Sequence, residues 1–451
     1  MTTPKGLAAH RFGYGPMAGR LPDHAPAALL DRRDPMLKVW PGQTTAHVLA
    51  QMSKDRQAIR AANDDEARRK AKRAALTAAK QQALVNARLE LARAVDSKDS
   101  FRERLVRFWA DHFTVIARRT SERPLMTPFA DEAIRPNLAK PFATLLRAAI
   151  THPAMLGYLD QSSSVGPDSA FGQRAGRGLN ENLARELLEL HTLGVEGGYT
   201  QTDVRQAALL LTGLSVAAEK GTVYLDKRAE PGAETVLGKS YGGARKARIE
   251  DIYQLLDDLA VHPATARHIS WKLAVHFVSD TPDRALIEDL AAIWLKTGGD
   301  LLAVSTALSE HPAANQAKLD KARQPFDFIV AALRALDIRG QQITGWNDGT
   351  LRRTALNPMA AMGQTWQEPN GPDGWEEDFS RWITPQALAT RIDWGIQMPR
   401  RLRKDLPDAR SFVGMALADM ADDDLLRLVA RSETEVEGIG LVLASPRFNR
   451  R

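Results

Sequence analysis

Apolar side chains recur every three to four residues over most of this 451-residue chain, and runs that alternate apolar with polar residues are nearly absent. The first spacing places apolar side chains on one face of an α-helix, whereas alternation is typical of a half-buried strand. The pattern therefore predicts an all-α fold, a large irregular multi-helix bundle. Two short runs, Thr222–Leu225 and Thr235–Leu237, are the only strand candidates, and they predict at most one small β-hairpin near 222–237.

Two regions differ from this background. Residues 43–95 are rich in Ala, Arg, Lys, Gln and Leu and contain neither Pro nor Gly, which favours a long helix or a helical hairpin. The apolar stripe of this region is thin, so we expect a helical arm that lies across the body. Residues 340–382 are rich in loops and hold four of the nine tryptophans. We predict a single helical domain over residues 1–451 that includes both regions.

Composition excludes several classes of function. The absence of cysteine rules out disulfides, thiolate nucleophiles and cysteine-based metal sites. No stretch of about 20 apolar residues predicts a transmembrane helix, and no signal peptide is visible, so we expect a cytoplasmic protein. The net charge of +6 is concentrated in residues 54–96, where eleven Lys and Arg face six Asp and Glu. A solvated helical face explains this excess, and because no nucleic-acid-binding motif accompanies it, we do not expect a nucleic-acid partner.

The densest group of ionisable side chains lies in the segment ENLARELLELHTL, residues 181–193. Asn180 fits the N-cap of a helix, and Gly194 fits the glycine that follows its end. At 100° per residue the leucines share one side, while Glu186 and Glu189 share the other. Two carboxylates three residues apart repel each other unless a metal ion, an arginine or a shared proton compensates. The spacing fits either a site or a solvated pair beside an arginine.

Two neighbours of this pair have a structural explanation as well. His191 falls on the leucine side, where a histidine is more often a buried hydrogen-bonding residue than a ligand. Asp203 is three residues after Thr200 at the start of the next helix, as in a capping box. Together with Glu186 and Glu189, His191 and Asp203 nevertheless form the predicted ligand set for a divalent metal such as Mn, Fe, Zn or Mg.

A third element, residues 262–278, opens with His262-Pro263, which is typical of a helix start. It places His268, Lys272 and His276 within an arc of about 80°. Such a row can bind an anion, flank a carboxylate pair or form a solvated strip. If this helix packs against residues 181–193, then Lys272 or Arg267 is the expected counter-ion for the two glutamates. The candidate catalytic residues are Glu186, Glu189, His191, His112, His268 and Lys272.

The tryptophan-rich region offers a second kind of site. Trp366, Asp373 and Trp375 are candidates for contact with a glycan or protein partner, because aromatic faces bind sugars and chain segments well. Packing of the two tryptophans against the helices is the structural alternative.

Motifs over nearly the whole chain resemble a bacterial family known as domain of unknown function number 1800. The matching stretches include HRFGYGP (10–16), FWADHFTV (108–115), ENLARELLELHTLG (181–194), HPATARHISWKLAVHFV (262–278) and MGQTWQEPNGPDGW (362–375). The resemblance implies one helical unit and frequent export, so a periplasmic or secreted location is the alternative to the cytoplasm. It also implies a partner from a phosphatase- or sulfatase-like family, domain of unknown function number 1501. In this chain Ala229 replaces a histidine that members typically carry.

Two functions remain open at this level. The first is an enzyme with a carboxylate and histidine site, with or without a divalent metal, on the helices 181–193 and 201–213. The second is a non-catalytic binding or scaffold protein, in which a buried Glu–Arg/Lys/His network is structural and the tryptophan-rich loop contacts a glycan or protein. The first is narrowly favoured, because carboxylates, histidines and a long loop at 160–178 converge on one pair of helices.

Overall fold

The computed structural model describes residues 5–175, 178–218, 220–243 and 246–451, and the predicted large helical bundle is confirmed. The longer α-helices are Thr45–Ala61, Asp65–Asp96, Ser100–His112, Phe142–Ile150, Gln201–Leu210, Ile249–Ala260, Pro263–Phe277, Arg284–Thr297, Leu301–Glu310, Pro325–Ala335, Pro385–Leu402, Ala409–Leu417 and Glu435–Ala444. The shorter ones are Lys5–Arg11, Pro35–Val39, Met126–Phe129, Pro153–Tyr158, Gly172–Ala175, Asn182–Glu186, Gly340–Thr344, Asp348–Leu351, Asn357–Ala361, Phe379–Trp382 and Asp423–Val429. Three π-helical turns are Ala130–Ile134, Leu187–Thr192 and Arg352–Leu356, and 3-10 turns are Thr120–Leu125, Arg135–Asn137, Gln161–Ser163, Asp226–Arg228, Pro312–Asn315 and Ala418–Met420.

The described residues contain two β-hairpins where the sequence predicts one. The strands are β1 Leu214–Ala217, β2 Gly221–Tyr224, β3 Gly232–Val236 and β4 Lys239–Gly243; β1 pairs antiparallel with β2, and β3 with β4. The two predicted runs therefore lie in different hairpins and do not pair with each other. In the second hairpin, Leu237 and Gly238 both have positive φ, at 51° and 75°. This is the geometry of a tight two-residue turn, so β3 pairs with the next residues along the chain.

The predicted arm is a helical hairpin made of Thr45–Ala61 and Asp65–Asp96. Thr44 and Asp64 cap the two helices by accepting hydrogen bonds from the backbone N–H groups of the first turns. Outer residues of the arm are largely exposed, whereas the longer helix becomes buried from Leu84 onward, where it joins a hydrophobic core with the C-terminal helices. The arm is thus anchored by its inner half only.

A separate hydrophobic core holds the elements that position the candidate site. It includes side chains from Ser100–His112, from the helix Asn182–Thr192 (the acidic helix) and from Pro263–Phe277 (the lysine helix). Among the described residues, no helix is both long enough and apolar enough to cross a membrane.

Several boundaries differ from the sequence-based expectation. The helix expected at 101–118 ends at His112. Asn180 lies two residues before the acidic helix, at the position before the N-cap Glu181, and its side chain accepts from the backbone N–H of Asn182 at 3.0 Å. The region 340–361 forms short helices, so only 362–378 is irregular; we call it the tryptophan loop. The long loop expected at 160–178 contains short helical turns, and residues 176–177 lie outside the described part of the chain.

Candidate active site

Four segments that are distant in sequence meet around the acidic helix. Nε2 of His112 lies 3.2 Å from the carbonyl oxygen of His191, and Nε2 of His268 lies 3.3 Å from that of Leu190. The tryptophan loop joins them through the backbone N–H of Trp375, which donates to Asp111. The candidate residues of helices 100–112, 182–192 and 263–277 are therefore brought together with this loop.

A π-helical turn occupies the second half of the acidic helix. The hydroxyl of Thr192 donates to the carbonyl of Leu187 at 2.6 Å, which helps to satisfy the widened backbone. Such turns occur frequently at functional sites, because they change which side chains share a face. His191 is buried on the leucine side, as predicted, while Glu186 and Glu189 are half-buried on the other side.

Lys272 is the cation at the centre of this arrangement. It is half-buried, and its ammonium forms no hydrogen bond and no ion pair within 4 Å with any residue the structure describes. Burial lowers the pKa of Lys272 below its ordinary value, and the more distant negative charges of Asp111, Glu377 and Asp373 oppose that shift. Several side chains interact electrostatically with Lys272. We define the Lys272 cluster as Lys272 together with Asp111, His112, His191, His268 and Asp373.

The three histidines of the cluster are neutral at physiological pH. Burial first, and then the charge of Lys272, lowers the pKa of His191 to about 3 and that of His268 to about 4. The same causes lower the pKa of His112 well below its ordinary value. Nδ1 of His112 and Nδ1 of His191 are buried and lack a hydrogen-bond partner among the described residues. Each of these rings therefore has at least one nitrogen without a hydrogen-bond partner among the described residues.

The glutamate pair has no cation at ion-pair distance within the described ranges. Burial, and then the charges of Glu189 and Asp373, raises the pKa of Glu186. Glu189 is hydrogen-bonded to the phenol of Tyr199. Arg185 binds Glu181 at 3.3 Å rather than either member of the pair.

Neither expected counter-ion pairs with these glutamates, which corrects the sequence-based prediction. Arg267 forms its ion pair with Glu288, at 3.3 Å. The negative charges that act on Lys272 are those of Asp111 and of Glu377 and Asp373 in the tryptophan loop, and the lysine helix contacts both that loop and the acidic helix.

The four predicted metal ligands do not converge. Within the described ranges, no group of three or more His, Asp or Glu side chains is arranged to hold a metal ion. The ring of His191 lies 5.2 Å from that of Phe113 in the core. Asp203 forms the predicted capping box with Thr200, and its other oxygen accepts from the backbone N–H of Leu237 at 2.7 Å. Both Asp203 oxygens are thus already used as hydrogen-bond acceptors.

Asp111 is a site residue that the sequence reasoning missed. Its two oxygens accept from the backbone N–H of Trp375 at 3.0 and 3.1 Å. Gly374 has a φ of 85°, and a Cβ there would lie 2.7 Å from the Asp111 carboxylate, so only glycine fits this contact. Burial, and then the charge of Glu377, raises the pKa of Asp111 to about 7. In the sequence, the signal that could have identified Asp111 was its position next to His112 in the motif FWADHFTV.

Glu377 was also missed by the sequence reasoning. It pairs with His276, which therefore does not act together with His268 and Lys272 as the sequence predicts. The contact is with Nδ1 of His276, and Glu377 also lies 3.3 Å from Nζ of Lys321 and 3.6 Å from a guanidinium nitrogen of Arg451. Burial alone would raise the pKa of Glu377, but these positive partners outweigh it and lower the pKa to about 2. This buried ionic group fixes the end of the tryptophan loop.

Comparison with known families identifies the family of this chain. A family model described as protein of unknown function (DUF1800) matches residues 8–450. The chain belongs to the DUF1800 family. Comparison with curated proteins and with solved structures gave no match. In the DUF1800 chain Ala229 is buried beside Gly213 at the first hairpin.

The predicted partner-binding residues of the DUF1800 chain differ in exposure. Trp366 is half-buried, with its ring 5.9 Å from that of Phe326. Trp375 is half-buried 6.0 Å from Trp382. Asp373 is exposed and forms no hydrogen bond with the described residues. Both tryptophans therefore anchor the loop, whereas Asp373 faces solvent near Lys272 and Glu186.

Proposed function

We propose that the DUF1800 chain is an enzyme that works by general acid–base catalysis at the Lys272 cluster. The observation that carries this proposal is Lys272 itself. A half-buried ammonium without a direct partner among the described residues lies where four segments converge, beside unpaired carboxylates and neutral histidines. Groups with shifted pKa values that gather in this way are typical of active sites.

Comparison with a second lysine supports a chemical role for Lys272. Lys321 is buried in the same region, but it is paired with Asp280 and Glu377. That is the usual arrangement for a structural lysine, because a buried charge is costly unless it is paired. Lys272 lacks this compensation, so its ammonium loses a proton more easily than that of an exposed lysine and can act as a base.

We assign the roles from the direction in which each pKa is shifted. Nζ of Lys272 takes a proton from a bound substrate, and the carboxyl group of Glu186, whose pKa is raised, donates one to the departing or developing anion. Solvent restores both groups. The neutral rings of His112, His191 and His268 offer hydrogen bonds without adding charge.

The scaffold alternative is less well supported. It requires Glu186 and Glu189 to belong to a buried network with Arg, Lys or His. Neither has a cation at ion-pair distance among the residues of the described ranges. A partner from the family known as number 1501 remains a prediction from the resemblance.

Competitive acetylation across a pH series tests the proposal. The protein is labelled with trace acetic anhydride, and each lysine is quantified by peptide mass spectrometry. We expect half-maximal labelling of Lys272 at a lower pH than that of the exposed Lys70 and Lys72, with Lys321 protected in the folded protein. A titration of Lys272 that coincides with Lys70 would refute the proposal.

A substrate screen provides the functional test. Chromogenic esters, amides, phosphates and glycosides are incubated with the wild-type protein and with Lys272→Met. Activity that is present in the wild type and lost in Lys272→Met supports the proposal, provided that the matched exposed variant Lys318→Met retains it. Activity that survives in Lys272→Met would assign catalysis to other residues.

A further inference from the structure

Trp271 is the exposed tryptophan of this protein. All nine tryptophans lie in the described ranges; the other eight are buried or half-buried, whereas Trp271 is 45% exposed. It immediately precedes Lys272 on the lysine helix. A single exposed apolar side chain is ordinary on a protein surface. Whether Trp271 has a function therefore depends on the residues around it.

His268 connects Trp271 to the Lys272 cluster. It precedes Trp271 by three residues and Lys272 by four, so all three share one side of the helix. The Trp271 and His268 rings stack with centroids 6.3 Å apart and planes 24° from parallel.

His268 is itself held in place by the acidic helix and the turn that follows it. It bonds the carbonyl of Leu190 at 3.3 Å, and a Cβ at Gly194 would lie 2.9 Å from its Nδ1. The Trp271 ring is thereby fixed at the edge of the cluster with part of its surface open to solvent.

Polar groups on the acidic helix that His268 contacts favour a neutral, hydroxyl-bearing ligand. Glu189, next to Leu190, and its hydrogen-bond partner Tyr199 supply acceptor and donor groups, and Glu186 adds a second carboxylate. Unpaired carboxylates repel phosphate, which disfavours nucleotides despite the aromatic ring. The neighbouring exposed apolar residue is Val195, and two such side chains are too few for a protein interface of ordinary size.

We propose that Trp271 is a sugar-stacking platform and that the substrate of the Lys272 cluster is a glycan. The inference rests on the proposed function for the identity of the catalytic cluster. A pyranose ring has an apolar C–H face, which packs on an indole, and a rim of hydroxyl groups, which hydrogen-bond carboxylates and phenols. Trp271 is thus a substrate-binding residue, while Lys272 and Glu186 carry the chemistry.

Binding of soluble oligosaccharides tests this platform. Tryptophan fluorescence and calorimetry are recorded while cellopentaose, chitopentaose or xylopentaose is added to the full-length protein. We expect a saturable fluorescence change with at least one of the three. In Trp271→Ala the binding should be at least tenfold weaker, and Trp271→Phe should restore part of it. Phe171, which is also exposed, provides the matched control Phe171→Ala, with unchanged affinity expected.

The outcomes separate the platform from the catalytic proposal. Unchanged affinity in Trp271→Ala, or no binding of any pentasaccharide, overturns the platform. Saturable binding of tetramethylammonium, lost in Trp271→Ala while the sugars do not bind, would instead identify a cation site and also overturn it. The exposed variant Lys318→Met should bind sugar like the wild type. Ordinary acetylation behaviour of Lys272 together with intact sugar binding would refute the acid–base role and leave the platform standing.

Discussion

The backbone N–H of Trp375 lies 3.0 and 3.1 Å from the two carboxylate oxygens of Asp111, although 264 residues separate them. This contact holds the tryptophan loop against the end of helix 100–112. Because Asp373 and Glu377 flank Trp375, the same contact fixes the negative charges that face Lys272. The loop is therefore part of the site rather than a cover over it.

Asp111→Ala should release the loop. Loss of the acceptor leaves the Trp375 N–H without its partner, and we expect the free energy of unfolding to fall by about 1–3 kcal/mol. Hydrogen exchange, followed by mass spectrometry, should speed up in residues 362–378. Asp373→Ala is the control on the same loop, since its exposed side chain has no hydrogen bond to a described residue; we expect a change within about 0.5 kcal/mol. Unaltered exchange in Asp111→Ala would contradict the anchoring role.

His191 should make the protein sensitive to acid. Its pKa is about 3 in the folded state and near 6.5 when unfolded, so between those values the unfolded chain binds one more proton. Stability therefore falls as the pH drops from 6.5 toward 3, by about 1.4 kcal/mol per pH unit from this residue. In His191→Gln the slope of unfolding free energy against pH should be smaller by that amount between pH 6 and 4. Parallel slopes for the two proteins would show that His191 is not buried in its neutral form.

Glu186 in the acidic helix and Glu181 just before it should respond oppositely to loss of charge. Glu186 is destabilised by Glu189 and Asp373, so Glu186→Gln should leave stability unchanged or raise it by a few tenths of a kcal/mol at pH 7. Glu181 accepts from Arg185 and Gln201, so Glu181→Gln should lower stability by roughly 0.5 kcal/mol. Denaturant unfolding measures both. A large loss of stability in Glu186→Gln would favour the scaffold alternative.

Alanine substitutions at Gly194 and Gly198 distinguish the energetic cost of a positive φ from the cost of contact with His268. Both have positive φ, at 84° and 82°, so alanine costs about 1–2 kcal/mol at either position. Only at Gly194 does the new Cβ approach the His268 ring, at 2.9 Å, whereas nothing lies within 4 Å of a Cβ at Gly198. Gly194→Ala should therefore be the more destabilising and should also shift the acetylation profile of Lys272. Equal effects of the two substitutions would show that contact with His268 adds nothing to the cost of Gly194→Ala.

Local signals predicted the parts of this structure that depend on neighbours in sequence. The capping box of Thr200 and Asp203 and the His262-Pro263 helix start are formed as expected, because each needs only residues within one turn. The π-helical turn at Leu187–Thr192 was not predicted, since a count of 100° per residue assumes an unbroken α-helix. In the π-helical turn, Glu189 and His191 are therefore rotated away from the positions that this count gives them.

The sequence by itself determined the helical class, the arm, the family and the identity of the charged residues that gather at the site. Periodicity, the absence of Pro and Gly, and short capping motifs act over a few residues, so they can be read without the fold. Only the tertiary structure decided which charged side chains lie next to each other. Lys272 lies near Asp111 and the tryptophan loop instead of pairing with Glu186, and His276 binds Glu377 across 101 residues. Electrostatic partners depend on distances of a few ångströms between segments far apart in the chain, and those distances are set by how the helices pack.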